Sequence, residues 1–234
     1  MARSSNVPVV ISFSGLDGSG KSTQIENLRN ALESAGLKTR LLTFWDDVVV
    51  GVKYREGFVH KVYKSERGIG TPGKPVARRD KNVRVWYLTL VRYLLYFADA
   101  LSLRYVLSRA MKSEADVTIV DRYIYDEVVN LDLNKAVARS FVRCVRALVP
   151  QPAIAFLLDA DPEAAYARKP EYPVDFMRKC RESYFKLAGT LGSMTVIPAL
   201  DLPDAKAAVL EAAEKKLTAL GRSSPVAGRD VYAA

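Results

Sequence analysis

The chain reads Gly15-Leu16-Asp17-Gly18-Ser19-Gly20-Lys21-Ser22 near its start, and this stretch fits the pattern GxxxxGK[ST] at every fixed position. It comes directly after the apolar, β-branched run 9–13 and directly before the helical repeat Ile25, Leu28 and Leu32. A strand, a glycine loop and a helix in this order predict a phosphate-binding loop, because the glycines let backbone N–H groups and a helix N-terminus surround phosphate oxygens.

Further apolar runs alternate with helical sequence along the rest of the chain. They predict strands at 39–44, 117–120, 153–158 and 194–197. Five strands that alternate with helices indicate an α/β fold, in which a five-stranded parallel sheet lies between helices in three layers, αβα. With 234 residues, the chain is expected to form one P-loop domain over 1–234, with its core at about 7–220 and a loose tail at 222–234.

Three helical patterns carry specific expectations. One long helix is predicted over 84–112 and a final one from Pro203 to Leu220, before Gly221. Between them, the residues that recur at helical spacing are Val137, Phe141, Cys144 and Leu148. This pattern predicts that Cys144 lies in the core.

The charge is concentrated in one segment. Lys and Arg exceed Asp and Glu by 35 to 26, which gives a net charge of +9 and predicts an anionic partner. Residues 51–84 alone hold ten Lys or Arg against three acids, a net charge of +7, around a loop rich in Gly and Pro. A basic insert of this kind has three interpretations: a solvated surface segment, a segment that binds the substrate, or a binding site for a macromolecule.

Several classes of protein are excluded. The two cysteines form no CxxC pair, and His60 is the only histidine, so neither a zinc site nor a disulfide framework is indicated. The chain contains no run of eighteen apolar residues, so no membrane span is predicted. The N-terminus lacks a signal-peptide pattern. We therefore expect a cytoplasmic protein without a membrane partner.

The loop motif also predicts chemistry. Lys21 is expected to reach the β- and γ-phosphates of ATP, and the Ser22 hydroxyl to ligate Mg²⁺. Asp121 and Arg122 follow the strand at 117–120, and the carboxyl ends of parallel strands form the ligand crevice. Asp121 is expected to orient Mg²⁺ or its waters, and Arg122 to hold a phosphate. The residues predicted to bind ATP are Gly15, Asp17, Gly18, Ser19, Gly20, Lys21, Ser22 and Thr23.

These residues resemble the thymidylate kinase family of P-loop nucleoside monophosphate kinases. The likeness rests on GLDGSGKST at 15–23, VDRY at 120–123, the block 158–165 with Arg168, and the pattern at 181–188. It extends from about Val9 to about Leu217. It implies ATP- and Mg²⁺-dependent phosphoryl transfer to a nucleoside monophosphate, with dTMP to dTDP as the leading candidate, and a homodimer.

The resemblance also implies individual roles. Asp17 would face the 3′-hydroxyl of the acceptor sugar, and Arg122 and Tyr123 would contact the acceptor. Because Gly18 stands where some members carry an arginine, the catalytic cation is expected from a lid at about 166–177. Arg168 is the first choice, and Lys169 and Arg178 come after it. The catalytic set is therefore predicted to be Lys21, Arg122 and Arg168.

The acceptor side departs from the family pattern. Phe44-Trp45-Asp46-Asp47 replaces an Arg-Glu-Pro-like motif, Leu101 stands at the position of a base-contacting arginine, and Asp126 replaces a serine. Phe97 is expected to stack on a base, and Arg92 or Arg104 to substitute for the missing arginine. The predicted helix over 84–112 has more apolar residues than one core-facing stripe needs, and we expect part of it to form the dimer interface.

Two alternatives stay open. A deoxynucleoside kinase would phosphorylate a 5′-hydroxyl, with Asp46 or Asp47 as the general base. A P-loop protein of another class would hydrolyse nucleotide and use the basic insert to bind nucleic acid or a protein. The insert has few stacking aromatics, and nucleic acid is the less favoured partner.

Overall fold

The computed structural model describes residues 7–50 and 86–222, with side chains in the second range from Thr89 onward. The basic insert 51–84 lies outside these residues, as does the predicted tail apart from Arg222. The sheet consists of five parallel strands in the order β2-β3-β1-β4-β5. The strands are β1 Val9–Gly15, β2 Thr39–Thr43, β3 Val117–Asp121, β4 Ile154–Leu158 and β5 Met194–Ile197. The predicted five-stranded parallel sheet is confirmed.

Seven helices and one wide turn complete the described part of the chain. The helices are α1 Lys21–Ser34, α2 Trp86–Ala110, α3 Ile124–Val128, α4 Ala136–Leu148, α5 Pro162–Arg168, α6 Val174–Leu191 and α7 Leu202–Ala219. Phe44–Val48 forms a single wide turn of π-helical type after β2, so Phe44 begins that turn rather than ending the strand. Among the described helices, none is both long and apolar enough to cross a membrane.

Two hydrophobic cores lie on opposite faces of the sheet, because alternate strand residues point to opposite sides. On one face, Ile11 and Phe13 of β1 pack with α1 and α7. On the other face, Val10 belongs to the core that α2, α3, α4 and α6 complete. Helices therefore cover both sides of the sheet, as the expected three-layer architecture requires.

The expectation for Cys144 is wrong. Its side chain is exposed, and Val137 on the same predicted stripe is 71% exposed. The residues that α4 buries are Ala138, Val142 and Val145. The helix is thus rotated by about one position from the predicted stripe, since both stripes have the same spacing and only the packing partner selects between them.

Strand register brings the functional segments to one edge. Phe13 pairs with Asp121, and Gly15 pairs with Leu158. The phosphate loop after β1, the Asp121–Arg122 pair after β3 and the start of α5 after β4 therefore meet at the carboxyl ends of the three central strands. This is the position at which parallel α/β sheets bind ligands.

Candidate active site

The phosphate loop is packed tightly against its neighbours at two glycines. Gly15 and Gly18 have φ values of 143° and 81°, which L side chains rarely adopt. A Cβ at Gly15 would overlap the carbonyl oxygen of Leu158, and one at Gly18 would lie 2.6 Å from that of Ala165. The loop therefore has no room for an arginine at Gly18. This agrees with a catalytic cation that comes from elsewhere.

Lys21 lies inside the loop. Its Nζ donates hydrogen bonds to the carbonyl oxygens of Gly15 at 3.0 Å and Leu16 at 2.6 Å. Burial, together with the nearby positive charge of Arg122, lowers the pKa of the ammonium group to about 8. The loop thus holds its lysine on backbone oxygens, where phosphate oxygens would replace them.

This lowered pKa predicts that ATP binding depends on pH. Bound phosphates favour the charged ammonium group and raise its pKa. Above the pKa of the unbound lysine, ATP binding is therefore accompanied by the uptake of one proton. We expect ATP affinity to be constant between about pH 7 and the pKa near 8, and to fall by about tenfold per pH unit above it. Calorimetric titration in buffers of different ionisation enthalpy would measure both the affinity and the proton uptake.

A Lys21→Arg variant is the matched control, because a guanidinium group keeps its proton over this range. Its ATP affinity is expected to be weaker than that of the wild type at pH 7 and to stay flat as the pH rises. A wild-type affinity that does not fall above pH 8 would contradict the assignment of Lys21 to the ATP phosphates.

Arg122 is the second cation of the site. It has a left-handed backbone with φ 67°, and its guanidinium forms ion pairs with Asp17 of the phosphate loop and with Asp126, at 3.3 Å. Burial would lower the pKa of this group, but the carboxylates of Asp126 and Asp17 outweigh burial and raise it. The predicted acceptor arginine and the predicted sugar-binding aspartate are thus in direct contact.

Oxygen ligands suited to Mg²⁺ stand at the same edge. The Ser22 hydroxyl is exposed at the start of α1, and Asp121 ends β3. Burial raises the pKa of the Asp121 carboxyl, and the charges of Arg122 and Lys21 oppose that rise. Within residues 7–50 and 86–222, no three His, Cys, Asp or Glu side chains form a metal cage. These donors fit Mg²⁺ in a site that ATP phosphates and waters complete.

A cavity of about 130 Å³ opens beside the phosphate loop. Ser19, Gln24 and Arg168 line it, together with the segment 198–200 after β5. The Ser19 hydroxyl is buried without a hydrogen-bond partner among the described residues, as expected for a group that serves a ligand. No sequence motif marks 198–200, although its position after the fifth strand is a signal that it lies at this edge of the sheet.

The three candidate lid cations have different surroundings. Lys169 pairs with Glu171 at 3.1 Å, and Arg178 pairs with Glu163 and with Asp175. Arg168 is exposed at the end of α5 and reaches the cavity beside Ser19, and the described residues offer it no acidic partner. Of these three cations, Arg168 is the one without an ion pair to a described acid, so it stays the first candidate for the catalytic cation.

Comparisons with known proteins identify the family of the chain. A family model described as thymidylate kinase matches residues 78–205, which is more than half of the chain. The chain belongs to the thymidylate kinase family. A probable thymidylate kinase of Methanosphaera stadtmanae is 25% identical over 198 residues, which cover 83% of this chain and 91% of that protein.

Another relative and a solved structure are also similar to the chain. The thymidylate kinase of Chlorobaculum tepidum is 27% identical over 209 residues, covering 77% of this chain and 84% of that protein. The crystal structure of thymidylate kinase from Ehrlichia chaffeensis superposes with a TM-score of 0.55 and 16% identity, covering 88% of this chain and 98% of that chain. This likeness supports the fold.

Tyr123 departs from its expected role in the thymidylate kinase resemblance. Its side chain is fully buried, and its hydroxyl donates to the carbonyl oxygen of Pro150. Burial raises the pKa of this hydroxyl well above its usual value. The expected substrate contact by this side chain is therefore wrong, because an aromatic ring directly after β3 fills the core beneath the site.

The remaining acceptor-side candidates lie on two elements. On α2, Phe97 is 39% exposed and lies on the same side as Leu101, whereas Tyr96 is buried. The Arg104 guanidinium donates to the carbonyl oxygen of Leu148 at 3.0 Å. The roles of Phe97, Arg92 and Arg104 in acceptor binding stay predictions.

The two aspartates after β2 are exposed. The Asp47 carboxylate accepts a hydrogen bond from the Thr43 backbone N–H at 2.7 Å, so it caps the wide turn Phe44–Val48. A carboxylate in this capping role is already engaged by the backbone. This geometry weighs against the use of Asp47 as a general base.

Proposed function

We propose that the protein transfers the γ-phosphoryl group of ATP to thymidylate and forms dTDP and ADP. The observation that carries this proposal is the contact of Arg122 with Asp17. This contact supports the proposal because the arginine proposed to bind the acceptor phosphate lies against the loop that holds Lys21, in a chain of the thymidylate kinase family. Two phosphate-binding cations on adjoining segments suit a reaction that joins two phosphorylated substrates.

The reaction needs positioning and positive charge more than acid–base chemistry. A nucleoside monophosphate has a second pKa of about 6, so its phosphate is largely ionised at neutral pH and attacks without a general base. Arg122 would hold that phosphate, and Lys21 would hold the β- and γ-phosphates of ATP. Arg168 would neutralise charge on the transferred group and help to exclude water as the lid closes.

Mg²⁺ would be held by Ser22 and oriented by Asp121, and when bound it neutralises phosphate charge. The base and ribose of ATP would occupy the cavity lined by Gln24, Arg168 and 198–200. Its unpartnered Ser19 hydroxyl would donate to a phosphate oxygen. The same loop thus serves the metal, the phosphates and the nucleoside of ATP.

Labelled ATP and a panel of acceptors test the proposal. We expect product from dTMP and much less from the other nucleoside monophosphates. Transfer to nucleosides alone would support the deoxynucleoside kinase alternative with Asp46 or Asp47 as base. No transfer to any nucleotide, together with nucleic-acid binding that weakens steeply with salt, would support the alternative that uses the basic insert.

We also propose a cytoplasmic homodimer. ATP and nucleoside monophosphates are available in the cytoplasm, and the free Cys144 thiol is exposed, as suits a reducing compartment. Helix α2 carries an exposed apolar stripe at helical spacing. Its members are Leu90, Leu94, Phe97, Leu101 and Tyr105, each between 39% and 63% exposed. This stripe is about 22 Å long, and a second copy would cover it through a twofold axis. Such a dimer would also cover Phe97, so the proposal does not use Phe97 to stack on a base.

A Leu94→Asp substitution tests the dimer. Leu94 is 63% exposed, so the change should cost the monomer little but place a charge in the interface. We expect light scattering after size exclusion to give a dimer for the wild type and a monomer for the variant. Leu220→Asp, 49% exposed at the end of α7, is the matched control and should remain dimeric. A monomeric wild type would contradict the proposal.

A further inference from the structure

Asp126 is a buried carboxylate with its own set of donors. Its side chain is only 1% exposed, although it lies next to the phosphate loop. One carboxylate oxygen accepts from the Ser14 hydroxyl at 2.6 Å and from the Tyr123 backbone N–H at 3.0 Å. The other accepts from the Tyr184 hydroxyl at 2.7 Å. A buried charge is stable only when it is satisfied in this way.

This carboxylate also faces the acceptor arginine. The oxygen that accepts from Tyr184 lies 3.3 Å from Nη1 of Arg122, whose Nη2 contacts Asp17. The two carboxylates that hold Arg122 differ in exposure, since the Asp17 side chain is 25% exposed and Asp126 is almost fully buried. An acceptor phosphate can therefore replace Asp17 as a partner of the guanidinium, while Asp126 keeps its hold.

The backbone supports the same arrangement. Arg122 adopts φ 67°, and its N–H donates to the carbonyl oxygen of Phe13 at 3.0 Å. A non-glycine residue holds this conformation only when its surroundings require it. Asp126 also accepts a hydrogen bond from the N–H of Tyr123, the next residue. The same carboxylate therefore holds the side chain of Arg122 and the backbone that directly follows it.

Tyr184 connects this network to the segment after the lid. It lies on α6, which begins at Val174, and one turn earlier Arg181 binds Asp159 through two bonds of 2.7 and 2.6 Å. Arg181 therefore ties α6 to the end of β4, while Tyr184 ties it to the carboxylate that holds Arg122. A shift of α6 that accompanies lid closure would therefore be transmitted to Arg122 through Tyr184 and Asp126.

We propose that Asp126 is a positioning residue: it fixes Arg122 for the acceptor phosphate and, through Tyr184, couples the helix that follows the lid to that arginine. The proposal rests on the proposed function, because the acceptor phosphate is the ligand that Arg122 would receive. It concerns this chain in particular, since the family pattern leads one to expect a serine at 126. A serine hydroxyl has two lone pairs and cannot accept from all four donors at once.

The first test separates acceptor binding from ATP binding in the full-length protein. In Asp126→Ser, we expect the KM for dTMP to rise by about tenfold or more, with the KM for ATP within about twofold of wild type. Glu114→Gln is the matched control, because Glu114 is 79% exposed and pairs with Lys38 at the far end of the sheet. Its two KM values should stay unchanged. Equal rises in both KM values of Asp126→Ser would overturn the proposal.

Tyr184→Phe is a milder variant that keeps the ring and removes one donor. The KM of this variant for dTMP is expected to rise by about threefold. Amide hydrogen exchange measures the coupling between the acceptor site and α6. In the wild type, dTMP should slow amide exchange in α6, and in Tyr184→Phe this slowing should be lost. Slowing of α6 that is equal in the two proteins would overturn the coupling.

The second test needs no activity. Restrained rotation of the Arg122 guanidinium should give resolved side-chain nitrogen signals in NMR spectra, which Arg122→Lys would identify. These signals should collapse in Asp126→Ser and persist in Glu114→Gln. Unchanged Arg122 signals in Asp126→Ser would overturn the proposal. If the wild type transfers nothing to dTMP, the proposed function fails, and this comparison still decides whether Asp126 holds Arg122.

Discussion

Replacing Arg168 with alanine is expected to lower kcat for phosphoryl transfer by about 10³-fold, the scale of an arginine that neutralises a transferred phosphoryl group. The change removes an exposed side chain without an acidic partner among the described residues, so the fold should be unaffected. Because this cation acts mainly in the transition state, the KM for ATP should change little. Steady-state kinetics with dTMP and ATP would measure both constants.

Lys169→Ala and Arg178→Ala are matched controls on the same lid. Both side chains are held by nearby acids, Lys169 by Glu171 and Arg178 by Glu163. We expect kcat to change by less than about threefold in either variant, since exposed ion pairs of this kind contribute little. A larger loss in Arg178→Ala than in Arg168→Ala would move the catalytic cation to α6.

Lys21→Ala should also lower kcat by about 10³-fold, the upper range for removal of one donor to developing charge. In contrast to Arg168, this lysine is buried in the loop and should affect ground-state ATP as well. We therefore expect the KM for ATP to rise together with the loss in kcat. A Lys21→Ala enzyme with normal turnover would remove the phosphate loop from the mechanism.

The fold could be predicted because its signals are local. The strand, loop and helix around Gly15 and Lys21 follow from apolar runs and glycine spacing, and the other strands follow from β-branched runs. The rotation of α4 could not be predicted from the same kind of signal. Phe141 and Val142 are both apolar and both meet the same core, since Val142 is buried and the Phe141 ring packs edge-on against Tyr93 of α2 at 4.5 Å. The sequence therefore does not distinguish the two overlapping stripes.

The positions of site residues could be predicted where one sequence motif fixes them. They could not be predicted where contacts between distant segments determine the partners of a side chain. Lys21 and Arg122 follow from strand ends that must meet. The preference for Arg168 over Lys169 and Arg178 depends on which acids come near each cation, and the sequence does not reveal those contacts. The prediction that the Tyr123 side chain contacts the acceptor is wrong because a residue next to Arg122 can point into the core as easily as into the crevice.

The close fit of Gly18 against the carbonyl oxygen of Ala165 also places the phosphate loop directly against α5. Asp161 caps α5 through the Ala164 N–H at 3.0 Å, so the first turn of this helix is fixed to the end of β4 and to the phosphate loop together. A lid closure that preserves this fit would leave α5 with the phosphate loop and bend the linker 169–173 between α5 and α6. Arg168, the last residue of α5, would then keep its place beside the cavity while that linker moves.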